Sequence, residues 1–470
     1  MKIKSSQDRL ERFIPCSLRY ALLFFVVMCA GTFFVSIAQA QSASFESAAP
    51  QSVSPKSVSS ESVSLQQVMQ TAYEYSPVIL AARQEVITAQ ESINQARALI
   101  RPNLSAQSRI YSEQLRSKPS TGSSNDLTKE LGLDASQPIW TGGRYDAERS
   151  EAEARIVVAQ SVLERAERDL FLSMMRVYLN LMQAREVLAS RQKNEEILRT
   201  EYQGATERHE LGAITLTDVH QARSRLSRAQ AARVQAVDAL SIAEENFVQI
   251  TMMPPPAVMR FPSDLEVDLP QQLEAMIALA AQRNPDIVLA QNRKYLLARD
   301  IDIIQSERRP RVSAFASVTQ QYDPQPGVFS QTRSEVIGMR ADVALYQGGA
   351  TLSRIREAQG QVKAQSFRIE DVSREVRRDV SNNFNSYVLS LDLIAAREME
   401  LQAAQSALEG VREEALSGQR TMLDVLDADR DVIEAEIAVL ASRYEALFTR
   451  FSLWASIGVL TADNMAFGKI

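Results

Sequence analysis

The chain has 470 residues, 45% hydrophobic and only 6% aromatic, with a formal net charge of −6. The acidic balance and the lack of a basic cluster exclude a polyanion-binding role such as nucleic-acid recognition. With 16 Gly and 16 Pro, the composition points to long helices with thin, Ala-rich packing, and the length suits two or three domains or one fold of two related halves.

At the N-terminus Lys2, Lys4, Arg9, Arg12 and Arg19 precede an apolar run from Ala21 to Ile37, followed by the small-x-small site Ala38-Gln39-Ala40. Residues 1–40 read as a secretory signal peptide. Its removal takes away five cations and two anions, Asp8 and Glu11, so −6 less a net +3 leaves about −9. Both cysteines, Cys16 and Cys29, lie in this leader, so the mature chain is expected to hold no disulfide and no cysteine metal site. Val26-Val-Met-Cys29 lacks the residues of a lipidation site. Residues 41–63, rich in Ser, Gln, Pro and Val without helical period, read as a disordered lead-in.

A first repeat is expected over residues 64–253. A short helix runs from Ser64 to about Tyr75. Ser76-Pro77 opens the next, which Pro102 ends after about Arg101. From Asn103 the period drops to two: Leu104, Ala106, Ser108 and Ile110 alternate with polar residues, and so do Leu131, Leu133, Ala135, Gln137 and Ile139. Residues 103–140 therefore read as a β-hairpin with strands of about ten residues, the length a transmembrane strand needs. Thr141-Gly142-Gly143 returns the chain to helix, which runs without proline from Arg144 to about Glu210. Leu170, Met174, Val177, Leu181, Ala184 and Leu188 form a coiled-coil stripe along it. At about 67 residues this helix is about 100 Å long. Glu210-Leu-Gly-Ala-Ile-Thr-Leu-Thr-Asp-Val219 makes a tight turn, and a return helix covers residues 214–252.

After a proline-rich linker, residues 254–270, the same events recur over residues 271–462, leaving a tail at 463–470. Asn284-Pro285 and Pro310 match Ser76-Pro77 and Pro102 at an offset of 208, and Tyr346-Gln-Gly-Gly349 matches Trp140-Thr-Gly-Gly143 at 206. A second hairpin is expected at 311–346, with Ile337, Met339, Ala341, Val343 and Leu345 on one face. A second long helix, 350–416, carries Val376, Val380, Tyr387 and Ile394 in phase with the first. A second return helix, 421–457, carries Ile433, Ile437, Leu440, Tyr444, Leu447, Phe451 and Trp454. The turn between them, Ser-Gly418-Gln-Arg-Thr421-Met-Leu-Asp424-Val-Leu-Asp427, repeats the first at an offset of 206. Gly212 and Gly418 suit a left-handed helix end, and Thr421 suits a cap. Asp424 and Asp427, three apart, share a helical face.

The element lengths set the architecture. In each half the two shorter helices, stacked end to end, span the long one, with strands at one end and the Gly turn at the other. A helix pair of that length cannot bury its faces alone, so a closed ring of such pairs is expected. Four strands cannot close a barrel, for which about eight are the useful minimum. Three chains supply twelve, so a trimer is the smallest closure satisfying both conditions.

The Gly-Gly strand-to-helix junctions, the Gly418-Gln-Arg-Thr-Met-Leu-Asp-Val-Leu-Asp427 tip and the duplication resemble the TolC family of outer-membrane efflux proteins, over about residues 64–462. The resemblance implies a mainly α protein with a small β part: internally duplicated long-helix hairpins forming a trimeric α-barrel, joined to a 12-stranded transmembrane β-barrel with four strands per protomer. It further implies a passive channel-tunnel from periplasm to exterior in the outer membrane of a Gram-negative bacterium. An inner-membrane pump of ABC or RND type and a periplasmic adaptor would deliver the substrate, and tip helices would open like an iris. Without a lipid-anchor cysteine, the chain is more similar to members shared by type I protein secretion and multidrug efflux than to lipidated ones.

At the tip, the positions matching the family's pore rings are Asp424 and Asp427. Six carboxylates around one opening would bind cations or raise one another's pKa. The positions matching the family's latch are Asp218 and Arg420, although its latch tyrosine falls on Ala415. The resemblance also makes Gly212, Thr215, Thr217, Gly418 and Thr421 the candidate adaptor-contact positions. Pro102, Gly142, Gly143, Pro310, Gly348 and Gly349 mark the strand–helix junctions. His209 and His220 form no zinc motif, and no phosphate loop or nucleophile elbow occurs, so neither enzyme activity, metal nor cofactor is expected. The competing reading is a periplasmic coiled-coil adaptor or scaffold without a pore. That would show one hairpin flanked by soluble β domains, not a doubled one with paired strands.

Overall fold

The computed structural model describes residues 65–112, 127–260, 270–325 and 329–461. The expected signal peptide and Ser-rich lead-in, and most of the 254–270 linker, lie outside these residues, as does the 463–470 tail. Two helices, α1 (Leu65–Tyr75) and α2 (Pro77–Ala98), lead into strands β1 (Asn103–Ser112) and β2 (Leu127–Trp140). Long helix α3 (Arg144–Glu210) and its return partner α4 (Leu216–Thr251) complete the first set. The second set is α5 (Leu273–Arg283), α6 (Pro285–Ser306), β3 (Arg311–Gln325), β4 (Phe329–Asp342), α7 (Ala350–Leu416) and α8 (Met422–Ile457). Both long helices have 67 residues and both return helices 36. Among the described residues no helix is long and apolar enough to cross a membrane.

Proline sets the helix starts. Pro77 and Pro285 occupy first-turn positions, where a missing N–H costs nothing. Asn284 also caps α6 through its side chain, whereas Ser76 makes no such bond. Gly143 and Gly349, both at φ 83°, turn the strands into the long helices. Met252 takes a left-handed conformation at the end of α4, just before Pro254.

The four strands form one antiparallel sheet in the order β1-β2-β3-β4, so the two repeats join at β2–β3. β2, β3 and β4 have 14, 15 and 14 residues, longer than the ten expected from alternation. β4 ends at Asp342 rather than continuing to Tyr346. β2 does reach the matching Trp140, because Pro138 and Trp140 pair with Ser313 and Val312 of β3. No described strand lies beside residues 343–346.

α3 packs against α4, α2, α6 and α8, while α7 packs against α8, α6 and α5. The principal core lies at the waist, where α1, α5 and the ends of α4 and α8 surround the middle of α3. There Phe171, Met175, Tyr178 and Leu179 are buried as well as Met174 and Leu181 of the expected stripe. A helix enclosed by neighbours is apolar nearly all round, wider than a coiled-coil seam. Tyr178 ties in the linker: its hydroxyl donates to the Arg260 carbonyl (2.7 Å) and accepts from the Arg260 N–H (3.1 Å). Arg168, largely buried, meets Asp286 in the first turn of α6, where the helix dipole favours a carboxylate.

Candidate functional site at the helical tips

Away from the waist the core thins out, and the two hairpin tips are held by short polar motifs. The tips are near-copies. Gly212 (φ 73°) and Gly418 (φ 78°) end the long helices. Past them, Ala213 donates to the Arg208 carbonyl and Gln419 to that of Glu414, closing the turn. Thr215 and Thr421 then cap the return helices, each in a capping box with an aspartate three residues on. The Thr421 N–H and hydroxyl donate to the Asp424 carboxylate at 2.9 and 2.8 Å, and Thr215 does the same for Asp218 at 2.9 and 2.7 Å. These donors hold both carboxyls below the usual carboxylate range: in Asp424 the backbone N–H leads, in Asp218 the hydroxyl. Thr217 is exposed on the first turn of α4.

Asp424 and Asp427 do share one end of α8, but their carboxylates are engaged differently. Asp427 accepts from Arg225 of α4 at 2.6 Å, with Arg430 a further contact at 3.6 Å. Arg225 is only 18% exposed, so this pair is partly shielded from solvent. Asp427 therefore joins the two hairpins within the protomer. The offset that carries Gly212 to Gly418 pairs Asp427 with Gln221 of the first repeat, whose Oε1 is buried without a partner among the described residues.

The expected Asp218–Arg420 pair does not form within the protomer. Asp218 is taken up by its capping box, and Arg420 donates to Glu414 at 2.8 Å. Both still line one cavity of about 740 Å3 between the tips, together with Arg208, Gln221, Arg412 and Met422. Ala415, at the position of the expected tyrosine, also lines it and carries no polar group. Its first-repeat counterpart is His209, whose Nδ1 lies 3.0 Å from the Ile214 carbonyl and braces the first tip.

Each hairpin has its own clamp. In the first, buried Glu195 of α3 accepts from Arg233 of α4 at 2.6 Å. In the second, Arg412 of α7 donates to Asp429 of α8 at 2.8 Å; burial pushes the Asp429 carboxyl up, against the pull of Arg412. Between the hairpins near the tip are a small cluster of Leu198, Leu226, Ala229 and Leu426, and the Arg225–Asp427 pair. Sequence reasoning missed Arg225. Its one signal is the run Arg223, Arg225, Arg228, Arg233 in α4, a stretch with no acidic residue between its ends.

At the opposite end, Gly142 lies against Pro310, whose carbonyl is 2.8 Å from where a Cβ would sit, and Gly143 against Arg309. Gly348 and Gly349 have nothing within 4 Å. Among the described residues no group of His, Cys, Asp and Glu is arranged to hold a metal ion.

Comparison with known proteins agrees with this geometry. The family model described as outer membrane efflux protein matches residues 68–251 and again 276–459, two blocks of equal span, one on each repeat. The outer membrane efflux protein BepC of Brucella suis biovar 1 (strain 1330) is 25% identical over 395 residues, covering 84% of this chain and 85% of BepC. The outer membrane protein TolC of Escherichia coli (strain K12) is 26% identical over 417 residues, covering 85% and 83%. Among solved structures, the outer membrane protein VceC of Vibrio cholerae superposes with a TM-score of 0.68 at 18% identity, over 84% of this chain and 96% of VceC. These matches accord with the channel reading and not with the coiled-coil adaptor.

Proposed function

Because the chain belongs to the outer membrane efflux protein family, we propose that it is the exit duct of an envelope-spanning export system, passive in itself. The observation that carries this is the doubled layout. Two 67-residue helices, each about 100 Å long, share a strand-bearing end and a capped tip end. In this reading three copies close the four-stranded sheets into a twelve-stranded barrel in the outer membrane and the helices into a periplasmic tunnel. The tips around Gly212, Thr215, Thr217, Gly418 and Thr421 meet a periplasmic adaptor, and an inner-membrane pump of ABC or RND type supplies the energy. The cargo class, secreted protein or small toxic compound, is read by deleting the gene and comparing the secreted proteome with drug and metal susceptibility.

In this reading Asp424 and Asp427 mark the narrow end and play distinct parts, which their different partners support. Asp424, held ionised by its cap, supplies negative charge at the opening. Asp427, neutralised by Arg225, ties α8 to the first hairpin and keeps the tip shut. Arg420 and Asp218 face the cavity beside this tie and hold their own hairpin ends in place. Single-channel recording in planar bilayers tests the assignment. Wild type is expected to conduct weakly with cation preference. Arg225→Ala and Asp427→Asn each shift the closed-to-open balance about fivefold per subunit, as expected for a partly shielded ion pair near the upper end of the exposed range. Asp424→Asn lowers cation preference instead. A wild-type protein that inserts no conductance contradicts the duct. Unchanged conductance in both tie variants contradicts the role given to Arg225.

A further inference from the structure

The two hairpins differ in charge at matching positions. By the offset of 206 that takes Gly212 to Gly418, Arg225 and Arg228 of α4 fall on Asp431 and Glu434 of α8, and Arg191 of α3 falls on Arg397 of α7. Arg397 has its own carboxylate, donating to Glu400 one turn on at 2.6 Å. In the first repeat that position is Asn194, so Arg191 keeps the charge without the partner. Glu195, the next acid along α3, is taken by Arg199 and Arg233.

These cations meet at one cavity of about 230 Å3 between α3, α4 and α8. Arg191, Asn194, Arg225 and Arg228 line it from the first hairpin. Asp429, Arg430 and Glu434 line it from α8. Leu198, Ala229 and Leu426 give it an apolar wall, which lowers the local dielectric and strengthens any charge pairing inside.

The carboxylates around the cavity are engaged. Asp427 accepts from Arg225 at 2.6 Å and Asp429 from Arg412 at 2.8 Å. Arg430 lies 2.9 Å from Asp431 and 3.8 Å from Glu434. Among the described residues Arg191 and Arg228 have no ion pair or hydrogen bond, and the Asn194 amide has no partner. Arg225 and Arg228, three apart on one face of α4, also repel one another. Two guanidinium groups are thus left uncompensated at one cavity, in a chain of net charge −6.

The lining selects the ligand. Guanidinium forks match the paired oxygens of phosphate and sulfate, and Asn194 adds an amide donor. The space is smaller than the roughly 300 Å3 at which pockets for drug-sized molecules begin. A halide would leave one of the two cations unneutralised.

We propose that this cavity binds one small, doubly charged oxyanion of the phosphate or sulfate type, held by Arg191, Arg228 and Asn194, with Arg430 as its contact from α8. The anion bridges the two hairpins beside the Arg225–Asp427 pair and steadies the tip. The site belongs to the protomer and stands independently of the duct reading.

Equilibrium dialysis of the full-length protein in detergent against radiolabelled inorganic phosphate tests it, at low ionic strength and mildly alkaline pH, where phosphate is mostly doubly charged. Saturable binding of one phosphate per chain is expected, displaced by sulfate but not by chloride at matched ionic strength. Arg191→Gln with Arg228→Gln should weaken binding at least about tenfold, as the loss of charge-assisted hydrogen bonds requires. Arg223→Gln, which removes an exposed cation of α4 outside the cavity, should leave it unchanged. Because Arg191 and Arg228 hold no partner, the double variant should melt no earlier than wild type, which separates lost binding from lost folding. Phosphate should also slow hydrogen exchange around Arg228 and Arg430 in wild type and not in the double variant. Absence of saturable binding overturns the site. Equal weakening by Arg223→Gln, or displacement by chloride, overturns it too, as the mark of diffuse attraction to a basic surface. Binding without slowed exchange overturns the bridge between the hairpins alone.

Discussion

Two glycines with the same backbone sign illustrate how little a residue's conformation says without its surroundings. Gly418 at φ 78° has open space where a side chain would be, whereas at Gly458, φ 85°, a Cβ would run into the Arg283 carbonyl at the α5–α6 junction. Gly418→Ala is expected to cost about 1–2 kcal/mol, the left-handed penalty alone, confined to the tip. Gly458→Ala adds a clash against backbone at the waist and should exceed about 4 kcal/mol. Thermal unfolding of the two detergent-solubilised variants checks the order; equal melting temperatures would contradict it. Gly418 is legible from its turn motif. Gly458 carries no such mark, because what makes it critical is the carbonyl of Arg283, in a helix far back along the chain. The partner of Asp427 escapes for the same reason: Arg225 lies 202 positions off and meets it only once α4 and α8 converge.

Helices are the most legible elements. A run from Arg144 to Glu210 without proline, bounded by Gly143 and a Gly212 turn, leaves little choice of length. Strand alternation locates the sheet but not its ends, because a ladder extends only as far as the neighbouring strand, as β4 shows against β2. Packing is unequal along the long helices. Phe171 sits in the waist core with side chains from α1, α4, α5, α7 and α8, while Leu426 at the tip clusters, among the described residues, with Leu198, Leu226 and Ala229. Phe171→Ala should cost about 3–5 kcal/mol of global stability. Leu426→Ala should leave the melting temperature nearly unchanged and instead speed hydrogen exchange in the first turns of α4 and α8. A tip variant that melts as early as the waist variant would contradict this division into a rigid waist and a loosely joined tip.

Over the whole molecule, duplication supplies both construction and incompleteness. Two copies of one plan, each matched separately by the same family model, leave the protomer with one satisfied seam, β2–β3, and two open edges. Exposed strand edges pair with whatever edge is available, and head-to-tail contacts between identical copies close into a ring when the rotation permits. The repeat is legible because its marks, Ser76-Pro77 with Asn284-Pro285 and the two Gly-Gly junctions, are punctuation that helix and strand chemistry cannot replace. The measurement that bears most directly on the account is the mass of the protein extracted from outer membranes. Native mass spectrometry in detergent should give three mature chains in one particle, and a stable, water-soluble single chain without detergent would contradict the duct.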